Sequence, residues 1–245
     1  MIWPLLCLGL FPVRSGPRPA FPAVGTVSRV TDGDTIVVKS TGGGERRVRL
    51  IGVDAPETDE AREEVALWAQ MARRFTFFHL YRKRISLTYD VDRHGRVLAY
   101  VFTEEKSLFN EFIIRQGFAF AFLKYPFRSD YQKLFREAQD EARSEQRGLW
   151  RKGEPVVIPV AEASSHLGEF AAVGFKCSRV ERRRSFLYLI SDAGEFEAAI
   201  PGDRRPLFPE AGEWEGKTLI VAGFIEEFRG RSQILLFFPR QLALF

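Results

Sequence analysis

The 245-residue chain is poor in the side chains that make cross-links and soft metal sites. It has two cysteines, Cys7 and Cys177, with no Cys-x-x-Cys pair, and three histidines, His79, His94 and His166, far apart in sequence. That scarcity argues against a disulfide framework and against a zinc cluster. The apolar stretch Met1 to Val13 is too short for a membrane span, so no stable membrane insertion is expected. Neither sign of charge dominates: 36 Lys and Arg stand against 32 Asp and Glu. The resulting net charge of +4 and pI near 9.2 agree with a polyanionic partner without establishing one. A content of 45% hydrophobic and 28% charged residues is ordinary for a soluble globular protein, and the length suggests two domains.

What the chain does have is concentrated between residues 32 and 96: Asp32-Gly33-Asp34-Thr35, then Arg49, then Asp54-Ala55-Pro56-Glu57, then Asp92-Arg93-His94-Gly95-Arg96. If Asp34, Asp54 and Glu57 converge, their like charges must be balanced, because two carboxylates about 5 Å apart repel by roughly 3 kcal/mol at an effective dielectric near ~20. One divalent ion together with Arg49 and Arg96 leaves a single net positive charge, which matches one phosphodiester anion. Oxygen-only donors favour calcium or magnesium over zinc. Arginine suits the phosphate side because its planar fork binds two oxygens at once and stays charged at any usable pH. The set points to a metal-dependent nuclease.

Each piece also has a purely structural explanation. Asp-Gly between the apolar runs at 26–30 and 35–38 is the commonest signal for a tight hairpin turn. Glu57 precedes a helical stretch, where the helix dipole favours an acid, and a lone arginine on a strand ordinarily marks a solvated face. The spacing of the full set favours the joint catalytic reading, which imposes a geometric demand. In an ideal strand through residues 47–54, Arg49 and Asp54 point to opposite faces. A bulge or sharp bend is therefore expected near Gly52-Val53.

From Thr26 to Trp150 the chain resembles the staphylococcal nuclease family. The resemblance rests on residues 30–35, 48–57 and 92–100, on Asn110-Glu111 with Arg115-Gln116-Gly117, and on Arg147-Gly148-Leu149-Trp150. It implies a mainly β fold, a five-stranded OB-type barrel with packed helices, and calcium-dependent hydrolysis of phosphodiester bonds in DNA and RNA. It also implies that Asp34, Asp54 and the backbone carbonyl of Ala55 hold one calcium ion, another hard divalent ion being the alternative. Arg49, Glu57 and Arg96 fall on the family's catalytic positions, with Glu57 acting on water and the arginines stabilising the phosphoryl transition state. The family places aromatic side chains near the substrate's base and sugar, and residues 118–125 match that part poorly. His94 stands where the best-known relative has tyrosine, so His94 and Tyr125 are the candidate substrate contacts.

Turn residues and periodicity divide the chain into an amino-terminal segment 1–22, a nuclease-like domain 23–152, a linker 153–168 and a second domain 169–245. The first domain predicts strands at 26–31, 34–39 and 45–53, a helix over 60–80, a strand at 85–89 and a hairpin through 92–95. Helices N-capped by Ser107 and Ser129 follow, ending near Gly117 and Arg147-Gly148. Five apolar runs at 170–180, 185–190, 195–200, 217–226 and 231–238 predict a second small β-barrel, with Cys177 buried in a strand. The tract from Gly216 to Gly223 resembles the late strands of OB-fold nucleic-acid-binding domains. No second carboxylate and arginine set occurs there, so the expected role is substrate binding or partner contact. Basic clusters at 45–47, 81–84, 182–184 and 203–205 are candidates for tracking a nucleic-acid backbone.

The amino-terminal stretch followed by Arg14-Ser15-Gly16-Pro17 and Ala20 favours export to the periplasm or medium. Pro4, Pro12 and the lack of a preceding basic residue favour the cytoplasmic alternative. Two functional alternatives stay open: a noncatalytic nucleic-acid-binding scaffold, and a protein-interaction module without salt-dependent affinity for nucleic acid.

Overall fold

A computed structural model of the chain describes residues 23–40, 42–57, 63–91, 97–153, 155–208 and 210–244. The expected export signal, the hairpin at 92–95, His94 and Arg96 lie outside the described residues. The chain begins with a meander of β1 (Val24–Val30), β2 (Thr35–Ser40) and β3 (Glu45–Leu50). The short β4 (Val53–Asp54), helix α1 (Glu63–Leu80), β5 (Arg84–Val91) and β6 (Val97–Phe102) follow. Five of these strands close a barrel in the order β1-β2-β3-β6-β5, with β3 and β6 parallel and the other pairs antiparallel. Alternation along β3 buries Val48 and Leu50 and leaves Arg49 on the outer face, half-buried. Helix α2 (Phe109–Arg115), β7 (Phe120–Ala121), which pairs with β4, and α3 (Ser129–Ser144) complete this half.

Three local expectations are corrected. Asp32-Gly33 is not a two-residue hairpin turn: residues 31–34 form a longer loop, in which the Thr31 and Asp32 amides donate to the Thr35 carbonyl at 3.0 and 3.4 Å. Gly33 lies outside the left-handed region. It is needed for space, since a Cβ there would fall 2.6 Å from the Ala55 methyl and 2.7 Å from that of Ala72. Ser107 is not the cap of α2 either. Leu108 holds that position in extended geometry with no side-chain cap, and the Ser107 carbonyl instead accepts from the Thr103 amide. Ser129 likewise is the first residue of α3 and not its cap, a position held by Arg128 with no side-chain cap bond.

The second half forms β8 (Val157–Pro159), β9 (Phe170–Arg183), β10 (Phe186–Ser191), β11 (Phe196–Pro201), β12 (Thr218–Phe228), β13 (Arg231–Leu235) and β14 (Leu242–Leu244). β9-β10-β11-β13-β12 close on themselves through a β12–β9 ladder, with β11 and β13 parallel, so the strand order of the first barrel is repeated. The segment 153–168 is not an extended tether, because β8 runs parallel beside β9. The proline-broken segment between β11 and β12 folds into 3-10 turns that place Phe208 and Ala211 in the core beside Trp214. Cys177 is buried in β9, and burial pushes its thiol pKa up.

Helix α1 lies between the halves and serves both. On one side the Thr76 hydroxyl donates to the Gly33 carbonyl at 2.6 Å, and Ala72 packs beneath Gly33. On the other, Arg74 pairs with the buried Glu226 of β12, and Trp68 sits 4.9 Å from Phe170. Phe75, Phe118 and Phe224 form a triangle of rings with centroids 4.5 to 6.0 Å apart, placing a β12 side chain in the first core. Phe224 is 2% exposed, so Phe224→Ala should lower the unfolding free energy by about 3–5 kcal/mol. Calorimetry should show both barrels melting earlier together. A loss confined to one transition would contradict the shared core.

Candidate active site

The expected bend is present. β3 stops at Leu50, a turn through Ile51 and Gly52 follows, and β4 restarts at Val53 in a different pairing. Gly52 has φ of 71°, and a Cβ there would meet Phe135 at 2.6 Å and Phe127 at 2.8 Å, so both conformation and space require glycine. The bend carries Asp54 back to the face that bears Arg49. One guanidinium then spans the corner: Nη1 donates to Asp34 Oδ1, while Nη2 donates to Asp54 Oδ1 at 3.1 Å and to the Val53 carbonyl at 3.3 Å. Asp34 reaches the corner because Thr35, its neighbour on β2, is registered opposite Arg49. Its other oxygen, Oδ2, accepts from the Ala55 amide at 2.8 Å.

Asp34, Arg49, Asp54 and Ala55 are thus brought together. Glu57 lies two residues beyond Ala55 and is exposed. The contribution of Arg96 and His94 lies outside the described residues.

Asn110, which sequence reasoning placed in a motif without assigning it a task, holds the corner from α2. Its amide nitrogen donates to the Ile51 carbonyl at 2.9 Å and the Ala99 carbonyl at 3.1 Å, and its oxygen accepts from the Val101 amide at 2.8 Å. Full burial of an asparagine fits this use, since its side chain meets three backbone groups of the corner, the Ala99 carbonyl accepting from the Ile51 amide as well. Arg115 and Arg147, also in the matched motifs, meet on Glu141 of α3 and belong to helix packing.

The electrostatics of the corner suit a hard cation. Asp34 is 1% exposed, and burial pushes its carboxyl pKa from 3.8 up to about 7, against the opposing pull of Arg49 and the Ala55 amide. Oδ1 of Asp32, in the same loop, is buried without a hydrogen-bond partner. Among the described residues no three His, Cys, Asp or Glu side chains gather into a metal cluster. Two carboxylates, Asp34 and Asp54, converge on Arg49, and oxygen donors of this kind suit a hard ion rather than a soft one.

A cavity of about 470 Å³ opens beside Arg49. Tyr89, Tyr100, Phe122, Tyr125 and Phe127 contribute to its wall. Tyr125 is 63% exposed, so it is not packed away beneath its loop. Its ring lies 5.7 Å from that of Phe122 and carries Lys124 Nζ at 5.9 Å. Sequence reasoning singled out Tyr125 alone, because the other wall residues come from β5, β6 and the segment after β7 and share no local pattern.

A family profile described as staphylococcal nuclease homologue matches residues 47–152. The chain is 41% identical over 129 residues to a thermonuclease of Staphylococcus intermedius, covering 51% of this chain and 75% of that protein. It is 39% identical over 127 residues to a thermonuclease of Staphylococcus hyicus, covering 51% and 73%. An uncharacterized endonuclease of Escherichia coli is 30% identical over 155 residues, covering 63% of this chain and 86% of that protein.

The raised pKa of Asp34 has a signed consequence for stability. Between about pH 4 and about pH 7 the folded protein holds a proton on Asp34 that the unfolded chain has released. The stabilisation from this group is therefore complete at low pH and lost as pH rises through about 7. In chelator, the parent should lose stability relative to Asp34→Asn across that window, measured by urea unfolding at fixed pH values. A difference independent of pH would contradict the assignment.

Proposed function

The chain belongs to the staphylococcal nuclease family and is a nuclease, and we propose that it hydrolyses phosphodiester bonds of DNA and RNA with one calcium ion held by Asp34, Asp54 and the Ala55 carbonyl. The observation that carries this reading is the single Arg49 guanidinium spanning Asp34 and Asp54 at the mouth of an aromatic cavity. With both carboxylates ionised, Arg49 leaves this corner one negative charge in excess. A divalent ion reverses that to one positive charge, the complement of a phosphodiester. When bound, calcium polarises a phosphoryl oxygen and helps gather water.

The chain's own residues supply the rest. Arg49, relieved of neutralising the carboxylates, presents two parallel N–H groups to phosphate oxygens, and Arg96 supplies a second fork. Glu57, exposed and unburdened by burial, orients or deprotonates the attacking water. The aromatic cavity next to Arg49 accepts a base or sugar on the 3′ or 5′ side of the scissile phosphate, with Tyr125 at its rim, and His94 is the second substrate contact in this reading. The repeated strand order supports reading the second barrel, from about residue 169, as an OB-like accessory domain that binds substrate.

Purified full-length chain should cleave single-stranded DNA and RNA with calcium and not with chelator, magnesium being the comparison ion. Glu57→Gln and Arg49→Lys should each lower kcat by about 100- to 1,000-fold, the effect of removing one group that stabilises the transition state. Intact substrate in every reaction, despite tight binding, would instead establish the noncatalytic scaffold.

A further inference from the structure

The geometry points to a second nucleic-acid site, at the hairpin tips of the second barrel, that grips an unpaired strand through phosphate and base together. This inference rests on the nuclease reading for the identity of its ligand. The tip between β9 and β10 carries Arg182, Arg183 and Arg184, and that between β12 and β13 carries Arg229 and Arg231. Arg183, Arg184, Arg229 and Arg231 line a common groove of about 440 Å³, which has one acid in its wall, Glu197. A second groove of about 420 Å³ adjoins it, with Arg182 and Arg205 in its wall and no acid. Arg184 and Phe186 line both grooves and form the ridge between them.

The surface is organised rather than merely charged. Glu197, with its side chain 3% exposed, lies beneath the groove and holds Arg183 at 3.6 Å and Arg231 at 3.4 Å, while Gln233 donates to its other oxygen at 3.0 Å. A buried carboxylate so paired fixes two guanidinium groups at the surface. Arg182, Arg184 and Arg229 carry no carboxylate partner among the described residues and remain available to an outside anion.

Aromatic rings alternate with these cations. Phe228 is 41% exposed beneath Arg229, whose guanidinium sits 5.1 Å from the ring centre. Phe186 lies 6.0 Å from Tyr188 on β10, and Tyr188, itself buried, supports Arg183 above its ring. Rings and guanidinium planes in a positive groove suit the faces of unpaired bases, which duplex DNA keeps stacked inside. The rings are separated by arginines and divided between two groove walls rather than gathered into one apolar face, which suits single bases better than a lipid surface.

Arg184 and Arg229, one at each tip, have φ of 50° and 54°, a left-handed conformation that Arg82, Lys106 and Gln146 share at other turns, so it shapes the tips without itself marking function.

The test is the Arg184→Asn/Arg229→Asn double variant of the full chain, since asparagine tolerates the left-handed region. Binding of a labelled single-stranded oligonucleotide is followed by fluorescence anisotropy in chelator, where substrate stays intact. The melting temperature should hold or rise, while affinity falls at least ~10-fold and the slope of log K against log salt becomes shallower by about 1.4, two phosphate contacts at ~0.7 each. Phe186→Ala/Phe228→Ala should weaken single-strand binding by about 5- to 150-fold, as loss of base stacking does, and leave duplex binding nearly unchanged. Hydrolysis of a mononucleotide diester should be unaffected in all these variants, which separates this site from the active site. Affinities within twofold of the parent would overturn the inference even if cleavage is intact. So would tip-dependent binding to anionic phospholipid vesicles without tip-dependent binding to oligonucleotide. If the parent binds through the tips yet cleaves nothing, this site stands and the catalytic reading falls.

Discussion

A carboxylate as buried as Asp34 must be neutralised, and the first barrel is arranged around that requirement. Leaving such a group unpaired is strongly destabilising, of order 3–5 kcal/mol where one member of a buried pair has been removed. Arg49 meets part of the demand, because the β2–β3 register sets it opposite Thr35, the residue after Asp34, and below about pH 7 a proton on Asp34 meets the rest. The same guanidinium then binds Asp54 and the Val53 carbonyl, which is possible only because the chain turns at Ile51-Gly52. Gly52 makes the turn feasible against Phe127 and Phe135, and Asn110 satisfies the carbonyl that the turn exposes. Site and corner are one piece of construction, so residues that never touch substrate govern where the charges sit.

The second barrel is part of the same construction. Helix α1 supports the Asp32-Gly33-Asp34 loop on one side and packs against β9 and β12 on the other, through aromatic rings and the Arg74–Glu226 pair. Burial holds the Glu226 carboxyl above its ordinary pKa even beside Arg74, so this contact sits in a dry interface. Helix α1 therefore joins the barrel that carries the arginine-rich tips to the loop that carries Asp34. That arrangement fits the proposed division of labour, in which the accessory barrel holds a strand and the corner around Arg49 acts on one phosphate.

Much of this was legible in the sequence because it depends on residues close together in the chain. Charge balance and the two-residue period of strands together demanded the bend near Gly52, and the five apolar runs after residue 169 became β9 to β13. What was not legible depends on distant partners. Gly33 looks like a turn residue until Ala55 and Ala72 are seen to press against it. Ser107 has the composition of a helix cap, yet its carbonyl is engaged by Thr103 and the helix starts one residue later. Prolines and serines in 153–168 disguise β8, which exists because β9 offers it a parallel edge. The aromatic cavity is assembled from separate strands, and the two arginine tips gain meaning only when the second barrel closes and sets them side by side.

The central claim is that the corner gathers Asp34 and Asp54 onto one hard cation. Calcium titration of the full chain by isothermal calorimetry tests it most directly, with Asp34→Asn and Asp54→Asn alongside. The account predicts a single site whose affinity falls at least ~10-fold in each variant, as loss of a ligand to a shared ion requires. Calcium binding that survives unchanged in either variant would show that the two carboxylates do not serve one ion, and the account would fail.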